Sequence, residues 1–312
     1  MSVPRSWIIS EAYAGLQAQA LGLAEAAGLD PELRVLRPRA PWRWVAAKLW
    51  PAPLVAVAPE ALRPPLPKLV IGAGGVAAAV GAALRRRGAR VVQVQHPRMD
   101  IRKFDLVVVA GHDRLSGPNV LVTRTALHRV TPARLAAAAQ AWAPRLAHLP
   151  RPLVAALVGG SNGRWRLDLR VGAELAASLA EMMRADRVGL ALTPSRRTDP
   201  QVARGLRERL APLGAWIWDG TGENPYFGLL ALADAIVVTT DSMSMISEAV
   251  ATRAPVMLAP LPGRSRRQGA FVDSLMAAGR VRRFAGRLDF WPVEPIDDTA
   301  AAAAEMRRRL GF

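Results

Sequence analysis

Short apolar runs alternate with alanine-rich helical stretches along the whole 312-residue chain. Apolar runs bounded by turn residues are typical of buried strands. In the first half the predicted strands are SWIIS, LVIGAG, VVQVQ and FDLVVVAG. In the second half they are LVAALVGGS, RVGLALTPS, AWIWDG, AIVVTTDS and APVMLAP. This alternation predicts an α/β fold with parallel sheets.

A proline-bounded stretch at residues 149–152 separates the two sets of strands. We therefore predict two doubly wound, Rossmann-like domains, residues 1–149 and 150–296, facing each other across a cleft at the carboxyl ends of their strands. The tail 297–312 opens with acids and a threonine, and it closes with arginines followed by a glycine. It is predicted to be a helix that packs back on the first domain.

The composition narrows the class of protein. The chain has no cysteine, which excludes disulfides, thiolate metal sites and a cysteine nucleophile. The amino-terminal stretch lacks a secretory core, and the longest uncharged run, 69–84, is too short to span a membrane. We expect a cytoplasmic protein, with peripheral attachment to the inner face of the membrane as an open alternative.

The formal net charge is +17 and is concentrated in the first half. Residues 1–150 hold 20 of the 42 Lys and Arg but only 8 of the 25 Asp and Glu. Such an excess arises from genome composition or reflects an anionic partner. Because no nucleic-acid-binding motif accompanies the charge, we expect a membrane surface rather than nucleic acid.

Tryptophans and cations are interleaved over residues 39–54. The aromatic residues are Trp42, Trp44 and Trp50, and the cations are Arg39, Arg43 and Lys48. Tryptophan favours the headgroup region of a bilayer, and the cations attract anionic lipid. The segment is thus a candidate membrane-facing surface, and the alternative is an apolar helix packed across the first domain.

Neither a cofactor nor a metal ion is expected. Gly72, Gly74 and Ala77 match a loose dinucleotide pattern, but the acid that a nicotinamide site needs about twenty residues later is missing. The histidines are too widely spaced for a metal motif. His96 and His112 each follow a predicted strand, so either is a candidate general base on an acceptor hydroxyl, the alternative being loop hydrogen bonds.

Two loops of the second half carry small and basic residues after strands. They contain Gly159, Gly160, Ser161, Asn162, Ser195 and Arg196. Small residues expose backbone N–H groups and hydroxyls to an anion, and arginine neutralises its charge. Together the loops predict a phosphate-bearing ligand at the carboxyl edge of the second sheet.

The stretch DSMSMISEA predicts a helix that begins near Asp241 or Ser242. Asp241, Ser244 and Glu248 share one face at helical periodicity, and the opposite face is apolar. A phosphate at the helix start would place Glu248 about 10 Å further along, within reach of ribose hydroxyls. The alternative is a solvated glutamate on an ordinary serine-capped helix.

An Asn-Pro-Tyr turn precedes this helix in the chain. Asn224 is predicted to open the turn, and Tyr226 with Phe227 offers a flat surface for a nucleotide base. Core packing explains the leucines that follow the turn, but it does not explain the turn itself.

The chain resembles a known family through motifs that run along nearly its whole length. The motifs are QVQHPR, FDLVVVAGHD, GPNVLVTRTALHRVTP, LVGGSNG, LTPSRRT and NPYFGLLALADAIVVTTDSMSMISEA. They are similar to the elongated-mitochondria family, named after a plant mitochondrial fission factor. More distantly, the second half resembles glycosyltransferases of the GT-B fold, including the lipid-intermediate N-acetylglucosaminyltransferase of peptidoglycan synthesis.

The two resemblances imply different functions. In GT-B enzymes a glycine loop and a helix N-terminus hold the diphosphate of a nucleotide sugar, and a glutamate binds ribose. By position these roles fall on Gly160, Ser161, Ser242, Met243, Ser244 and Glu248. The resemblance to the plant fission factor implies recruitment of a dynamin-like protein to a membrane, which is a binding role. We therefore expect a metal-independent glycosyltransferase, with a non-catalytic membrane adaptor and a nucleotide-sugar epimerase as alternatives.

Overall fold

The computed structural model describes residues 5–312, which form twelve strands and nine helices. The strands are β1 Ser6–Ser10, β2 Glu32–Val35, β3 Leu69–Ala73, β4 Arg90–Val94, β5 Leu106–Ala110, β6 Val120–Thr123, β7 Leu153–Val158, β8 Gly189–Pro194, β9 Trp216–Ile217, β10 Ala235–Thr239, β11 Val256–Ala259 and β12 Val281–Arg283. The helices are α1 Ala14–Ala26, α2 Gly75–Arg85, α3 Pro132–Leu146, α4 Leu169–Asp186, α5 Pro200–Leu210, α6 Tyr226–Leu232, α7 Met243–Val250, α8 Arg266–Ala277 and α9 Thr299–Leu310. Over the same residues, no helix is both long enough and apolar enough to cross a bilayer.

The chain divides into two compact units. Unit 1 is Met1–Arg129 together with Asp297–Phe312, and unit 2 is Val130–Ile296. Each unit contains a six-stranded sheet, in the order β2-β1-β3-β4-β5-β6 for unit 1 and β12-β11-β10-β7-β8-β9 for unit 2. All neighbouring strands are parallel, which confirms the predicted doubly wound α/β architecture.

The central strands are mostly apolar because helices cover both faces of a parallel sheet. All residues of β1, β3, β7 and β10 are buried. The strands that the pattern missed are β2, β6 and β12, which are short and partly exposed. Each of them has a single paired neighbour and therefore lies at or near a sheet edge, where a strand needs less apolar surface.

Unit 2 begins about twenty residues before the predicted boundary, because α3 packs against α6 of the same unit. A Cβ atom added at Gly228 of α6 would lie 2.4 Å from the Trp142 ring of α3, so this close packing requires glycine. The Trp142 ring also packs edge-on against Trp216, at 5.8 Å between centroids. The prolines near residue 150 therefore lie inside unit 2 and do not separate the two units.

The terminal helix α9 packs within unit 1. Its buried apolar side chains join the cluster that contains residues of α1 and of the first sheet, and they are Ala302, Ala303, Met306 and Leu310. The residue before the helix, Asp298, accepts a 2.9 Å hydrogen bond from the Arg124 guanidinium. Gly311 ends the helix with a φ of 67°, a conformation that glycine adopts without strain.

The tryptophan-rich segment is not a continuous helix. It forms two short 3-10 turns, Trp42–Trp44 and Ala47–Leu49. Trp50 is 6% exposed and its indole N–H donates to the Val45 carbonyl at 2.9 Å, so the prediction that it faces a membrane is wrong. Trp42 is half-buried against the same core. Trp44 is 68% exposed, with the Arg43 guanidinium stacked 4.2 Å from its ring centroid.

Candidate functional site

The polar residues predicted in the second half lie on three loops at one edge of the unit 2 sheet. The loops are 159–162 after β7, 195–198 after β8 and 240–242 after β10. Because β10, β7 and β8 are consecutive parallel strands in the sheet, their carboxyl ends meet at the same edge. The fold therefore brings the three predicted motifs together.

A buried carboxylate holds the three loops to one another. The Asp241 side chain has no exposed surface and forms a 2.7 Å ion pair with Arg197. It also accepts the Gly160 N–H at 3.1 Å and the Thr239 hydroxyl at 2.7 Å. Arg197 completes the arrangement by donating to the Gly160 carbonyl at 3.2 Å. Asp241 was predicted to share a helix face with Glu248, but it lies before the helix and acts as this clamp.

The clamp explains the paired glycines after β7. A Cβ atom at Gly159 would lie 2.1 Å from the Asp241 carboxylate, and one at Gly160 would lie 2.0 Å from the Arg197 carbonyl oxygen. The Gly159 N–H donates to the Thr239 hydroxyl at 2.7 Å. Both glycine N–H groups, which were predicted to face an anion, are thus bound within the protein. Their role in the structure is to allow the loops to approach closely.

Ser161 and Asn162 use their side chains to shape the β7 loop. The Ser161 hydroxyl accepts the Leu167 N–H at 2.8 Å. The Asn162 side-chain oxygen accepts the N–H groups of Arg164 and Trp165 at 2.9 and 3.1 Å. Both residues are exposed, and the Asn162 N–H donates to the Trp165 carbonyl at 2.9 Å.

Ser195 and Arg196 differ in their contacts. The Ser195 hydroxyl accepts the Arg197 N–H at 3.2 Å, and the Ser195 N–H donates to the Thr198 hydroxyl at 2.9 Å. The Arg196 side chain is exposed and forms no ion pair with any residue of 5–312. Arg196 is therefore the loop cation that is available to an anion, whereas Arg197 is engaged by Asp241.

Helix α7 begins as the sequence predicts. Ser242 is the N-cap, with extended backbone, and its hydroxyl accepts the Met245 N–H at 3.3 Å. Ser242, Met243 and Ser244 are half-buried, so the helix start is accessible. The N–H groups of the first turn have no acceptor within a helix, and the positive end of the helix dipole lies there. This end of α7 has the properties of an anion-binding site.

Glu248 lies one and a half turns along α7 and is 9% exposed. Its carboxylate accepts a 2.5 Å hydrogen bond from the Tyr226 hydroxyl of α6. Asn224 positions that tyrosine by accepting the Tyr226 N–H at 2.9 Å. Within the described chain, no cation forms an ion pair with Glu248. Burial raises the pKa of Glu248 to about 7, against the lowering effect of the tyrosine hydrogen bond, and also raises the pKa of Tyr226.

Both candidate histidines lie at the carboxyl edge of the unit 1 sheet. His96 follows β4, is half-buried, and accepts the Arg98 N–H on Nδ1 at 2.9 Å. His112 lies in a short turn after β5 and is also half-buried. Since β4 and β5 are neighbours, the topology brings the two imidazoles to the same part of that edge.

The sequence pattern missed a carboxylate at the same edge. Glu11 directly follows β1, and burial raises the pKa of its carboxyl above the ordinary value. It lies beside the turn at Gly74, where an added Cβ would be 3.8 Å from the carboxylate. The available signal was the position of Glu11, an acid immediately after a fully apolar strand. No cluster of three or more His, Asp or Glu suited to a metal ion occurs in residues 5–312.

Two doubly wound parallel sheets in one chain, each with its polar loops at the carboxyl edge, define a fold of the GT-B type. Among solved structures, the chain is similar to UGT71G1 of Medicago truncatula, which was solved in complex with UDP-glucose. The sequence identity is 12%, the match covers 98% of this chain and 93% of that chain, and the TM-score is 0.55. It is also similar to the UDP-GlcNAc 2-epimerase of Neisseria meningitidis, which was solved bound to UDP-GlcNAc. The sequence identity is 10%, the match covers 98% of this chain and 91% of that chain, and the TM-score is 0.54. At these identities the likeness shows the fold alone.

The family model described as mitochondrial fission ELM1 matches residues 14–310. The chain therefore belongs to the mitochondrial fission ELM1 family. It is 34% identical over 278 residues to the mitochondrial fission protein ELM1 of Arabidopsis thaliana, a match that covers 78% of this chain. The same match spans 64% of the length of the Arabidopsis protein.

Proposed function

We propose that unit 2 binds a nucleoside-diphosphate sugar and that the protein transfers the sugar to an acceptor without a metal ion. The diphosphate lies at the start of α7, against the N–H groups of Met243 and Ser244, and Arg196 neutralises part of its charge. Glu248 and Tyr226 bind the ribose hydroxyls. The solved structures of similar fold that hold UDP-glucose or UDP-GlcNAc support this ligand class.

The observation that carries the proposal is the buried glutamate. A carboxylate that is 9% exposed and has no cationic partner destabilises the fold when it is ionised. The apolar packing of α7 does not require it, since Ile246, Ala249 and Val250 already fill the core. Buried titratable groups with strongly shifted pKa values cluster at functional sites. A ligand hydroxyl that donates to Glu248 would stabilise the ionised carboxylate.

Unit 1 supplies the acceptor site in this proposal. The acceptor hydroxyl needs a general base, and imidazole titrates near neutral pH. His96 or His112 has this role, and developing charge on the leaving diphosphate is stabilised by Arg196 and the α7 dipole. Replacing the correct histidine with alanine lowers turnover and leaves nucleotide binding unchanged.

Calorimetric titration with UDP, GDP, ADP and TDP tests the binding step. We expect at least one diphosphate to bind, and Glu248→Gln to weaken that binding by about tenfold, the cost of losing a hydrogen bond to a charged group. The control is Glu208→Gln, because Glu208 is an exposed glutamate on α5 of the same unit. The proposal fails if none of the four diphosphates binds, or if the two variants bind equally well. Conversion of a sugar nucleotide in the absence of any acceptor would instead indicate an epimerase.

A membrane adaptor is the second candidate function. It is favoured by three exposed apolar residues of unit 1, Trp44, Leu49 and Val55, which are 68%, 66% and 63% exposed among basic neighbours. Flotation with anionic vesicles tests it, and we expect Trp44→Ala with Leu49→Ala to reduce binding. The control is Phe290→Ala in unit 2, at a phenylalanine that is 53% exposed.

A further inference from the structure

A cavity of about 470 Å³ opens in unit 1, away from both sets of loops. It lies between the Ala47–Leu49 turn, the carboxyl-terminal end of α2 and the Ile101–Lys103 turn. Arg90, the first residue of β4, is part of its lining. The cavity is therefore at the amino edge of the sheet, opposite the edge that carries His96 and His112. Its size is in the range of small-molecule sites.

The lining is strongly basic. It contains six cationic side chains, Lys48, Arg85, Arg86, Arg90, Arg102 and Lys103, and a single carboxylate, Asp105. That carboxylate is already bound by the Arg85 guanidinium at 3.0 Å and by the Val91 N–H at 2.7 Å. It therefore does not neutralise the other cations.

Four of the six cations, Lys48, Arg86, Arg90 and Lys103, have no partner of opposite charge among residues 5–312. Arg102 pairs with Asp100 at 2.9 Å, outside the lining. The carboxyl-terminal end of α2 carries the negative end of the helix dipole, which stabilises one or two nearby cations. It does not account for six cations around one cavity. Like charges that line one cavity repel one another, so a bound anion would stabilise the cluster.

The remaining walls are apolar. Trp50, Ala79, Ala82 and Met99 line the cavity beside the cations. Leu49, next to Lys48 in the chain, is 66% exposed at this side of the unit. A ligand that fits both surfaces has a phosphate group and a hydrocarbon part. Free inorganic anions would use the cations alone and leave these walls in contact with water.

We propose that this cavity binds a phosphate ester, with the headgroup of an anionic phospholipid as its source. The phosphate oxygens contact Lys48 and Arg86, and the glycerol and first methylene groups lie against Trp50 and Met99. The site is independent of the nucleotide-sugar proposal, because it shares no residue with unit 2. If the exposed apolar residues nearby contact a membrane, this site would add recognition of one lipid headgroup to the general attraction between cations and an anionic surface.

Two assays separate the sources of the phosphate. The first is flotation with phosphatidylcholine vesicles that contain or lack phosphatidic acid, and the second is calorimetric titration with glycerol 3-phosphate. Binding in the vesicle assay alone assigns the site to lipid, and binding in both assays shows that a soluble phosphate ester also occupies it. Failure to bind in both assays would overturn the proposal.

Matched double variants test whether the cavity itself is responsible. Lys48→Glu with Arg86→Glu changes two lining cations, and Lys68→Glu with Arg87→Glu changes two exposed cations of unit 1 outside the lining. We expect the first pair to weaken binding by about thirtyfold or more and the second by about threefold at most. Equal losses would mean diffuse surface attraction and would overturn the proposal. Thermal melting of both variants checks that each is folded.

Discussion

Each sheet has a central strand followed by a buried helix, and these two helices differ in composition. In unit 1, α2 follows β3, and all nine residues from Val76 to Leu84 are buried without one polar side chain. In unit 2, α7 follows β10 and carries hydroxyls at its start and buried Glu248 further along. Both helices occupy a similar place in a doubly wound sheet. Packing in that place therefore requires only apolar residues, and the polar groups of α7 serve another purpose.

The two helices also differ at their first residues, where only α7 has a polar side-chain cap. Gly74 precedes α2 with a φ of 95° and provides no side-chain cap, whereas Ser242 caps α7 through its hydroxyl. The Asp241 clamp then fixes the loops around the α7 start, and the start of α2 has no corresponding ion pair among the described residues. These contacts restrain the unit 2 edge, and such preorganisation would lower the entropic cost of binding the proposed ligand.

The largest effect is expected from Gly160→Ala. The new Cβ would meet the Arg197 backbone at 2.0 Å, and backbone cannot move as a side-chain end does. We expect a loss of more than about 3 kcal/mol in the free energy of unfolding, measured by chemical denaturation. In unit 1, Gly72→Ala would meet the Gln93 side chain at 2.9 Å and should cost less.

Gly163→Ala is the control in the same loop, since nothing lies within 4 Å of its added Cβ. If Gly160→Ala were as stable as Gly163→Ala, the Asp241 clamp would not constrain the loop. The start of α7 would then be no more restrained than the start of α2 in unit 1.

The second-largest loss of stability is expected from a change at the carboxyl-terminal end of α7, where a buried arginine binds backbone carbonyls. Arg280 is 2% exposed, and its guanidinium donates to the carbonyls of Val250, Thr252 and Ala254 at 3.2, 2.7 and 3.1 Å. Burial lowers the pKa of Arg280 to about 10. Arg280→Leu would leave the Thr252 and Ala254 carbonyls without a donor, whereas the Val250 carbonyl keeps the Ile296 N–H at 2.9 Å. We expect a loss of about 3 kcal/mol in unfolding free energy.

The control is Arg283→Leu, an exposed arginine three residues later. The end of α2 has exposed arginines instead of a buried one, so Arg86→Leu should also have little effect on stability. A small effect of Arg280→Leu would show that water reaches the end of α7.

The third effect is a pH dependence that only α7 should show. The folded pKa of Glu248 is about 7, above its ordinary value of 4.5. The folded state therefore binds more protons than the unfolded state between these values, and stability falls as the pH rises from about 4.5 to about 7. The group facing it, Tyr226, stays protonated there because burial raises its pKa further.

The shift in the pKa of Glu248 corresponds to about 3 kcal/mol of unfolding free energy. Glu248→Gln removes this contribution, so its denaturation midpoint should vary less with pH than that of the wild type. The same slope in both proteins would show that Glu248 titrates normally. It would also remove the main support for a ligand-binding carboxylate.

The sequence predicted the architecture well because parallel strands buried on both faces produce near-continuous apolar runs, and these alternate with helical stretches along the chain. It also located Ser242 as the cap of α7, since a hydroxyl directly before a helical apolar pattern has few other roles. It did not predict that Asp241 pairs with Arg197, which is 44 residues away in the chain. It left open whether Trp50 faces a membrane or packs within the first domain, because burial depends on tertiary packing that composition does not report.

The smallest effect, from Ser242→Ala, separates capping from binding. Ser242 and Ser265 cap α7 and α8 with the same hydrogen bond, a side-chain oxygen accepting the N–H three residues on at 3.3 Å. Each serine-to-alanine change should therefore cost about 1 kcal/mol of unfolding free energy. Only Ser242→Ala should also weaken nucleoside-diphosphate binding, because the proposed diphosphate contacts the first turn of α7. Helix α8 begins at the same edge of the sheet, one strand away, and does not contact the diphosphate in this proposal. Calorimetry on both variants measures this difference, and equal affinities would place the diphosphate somewhere other than the start of α7.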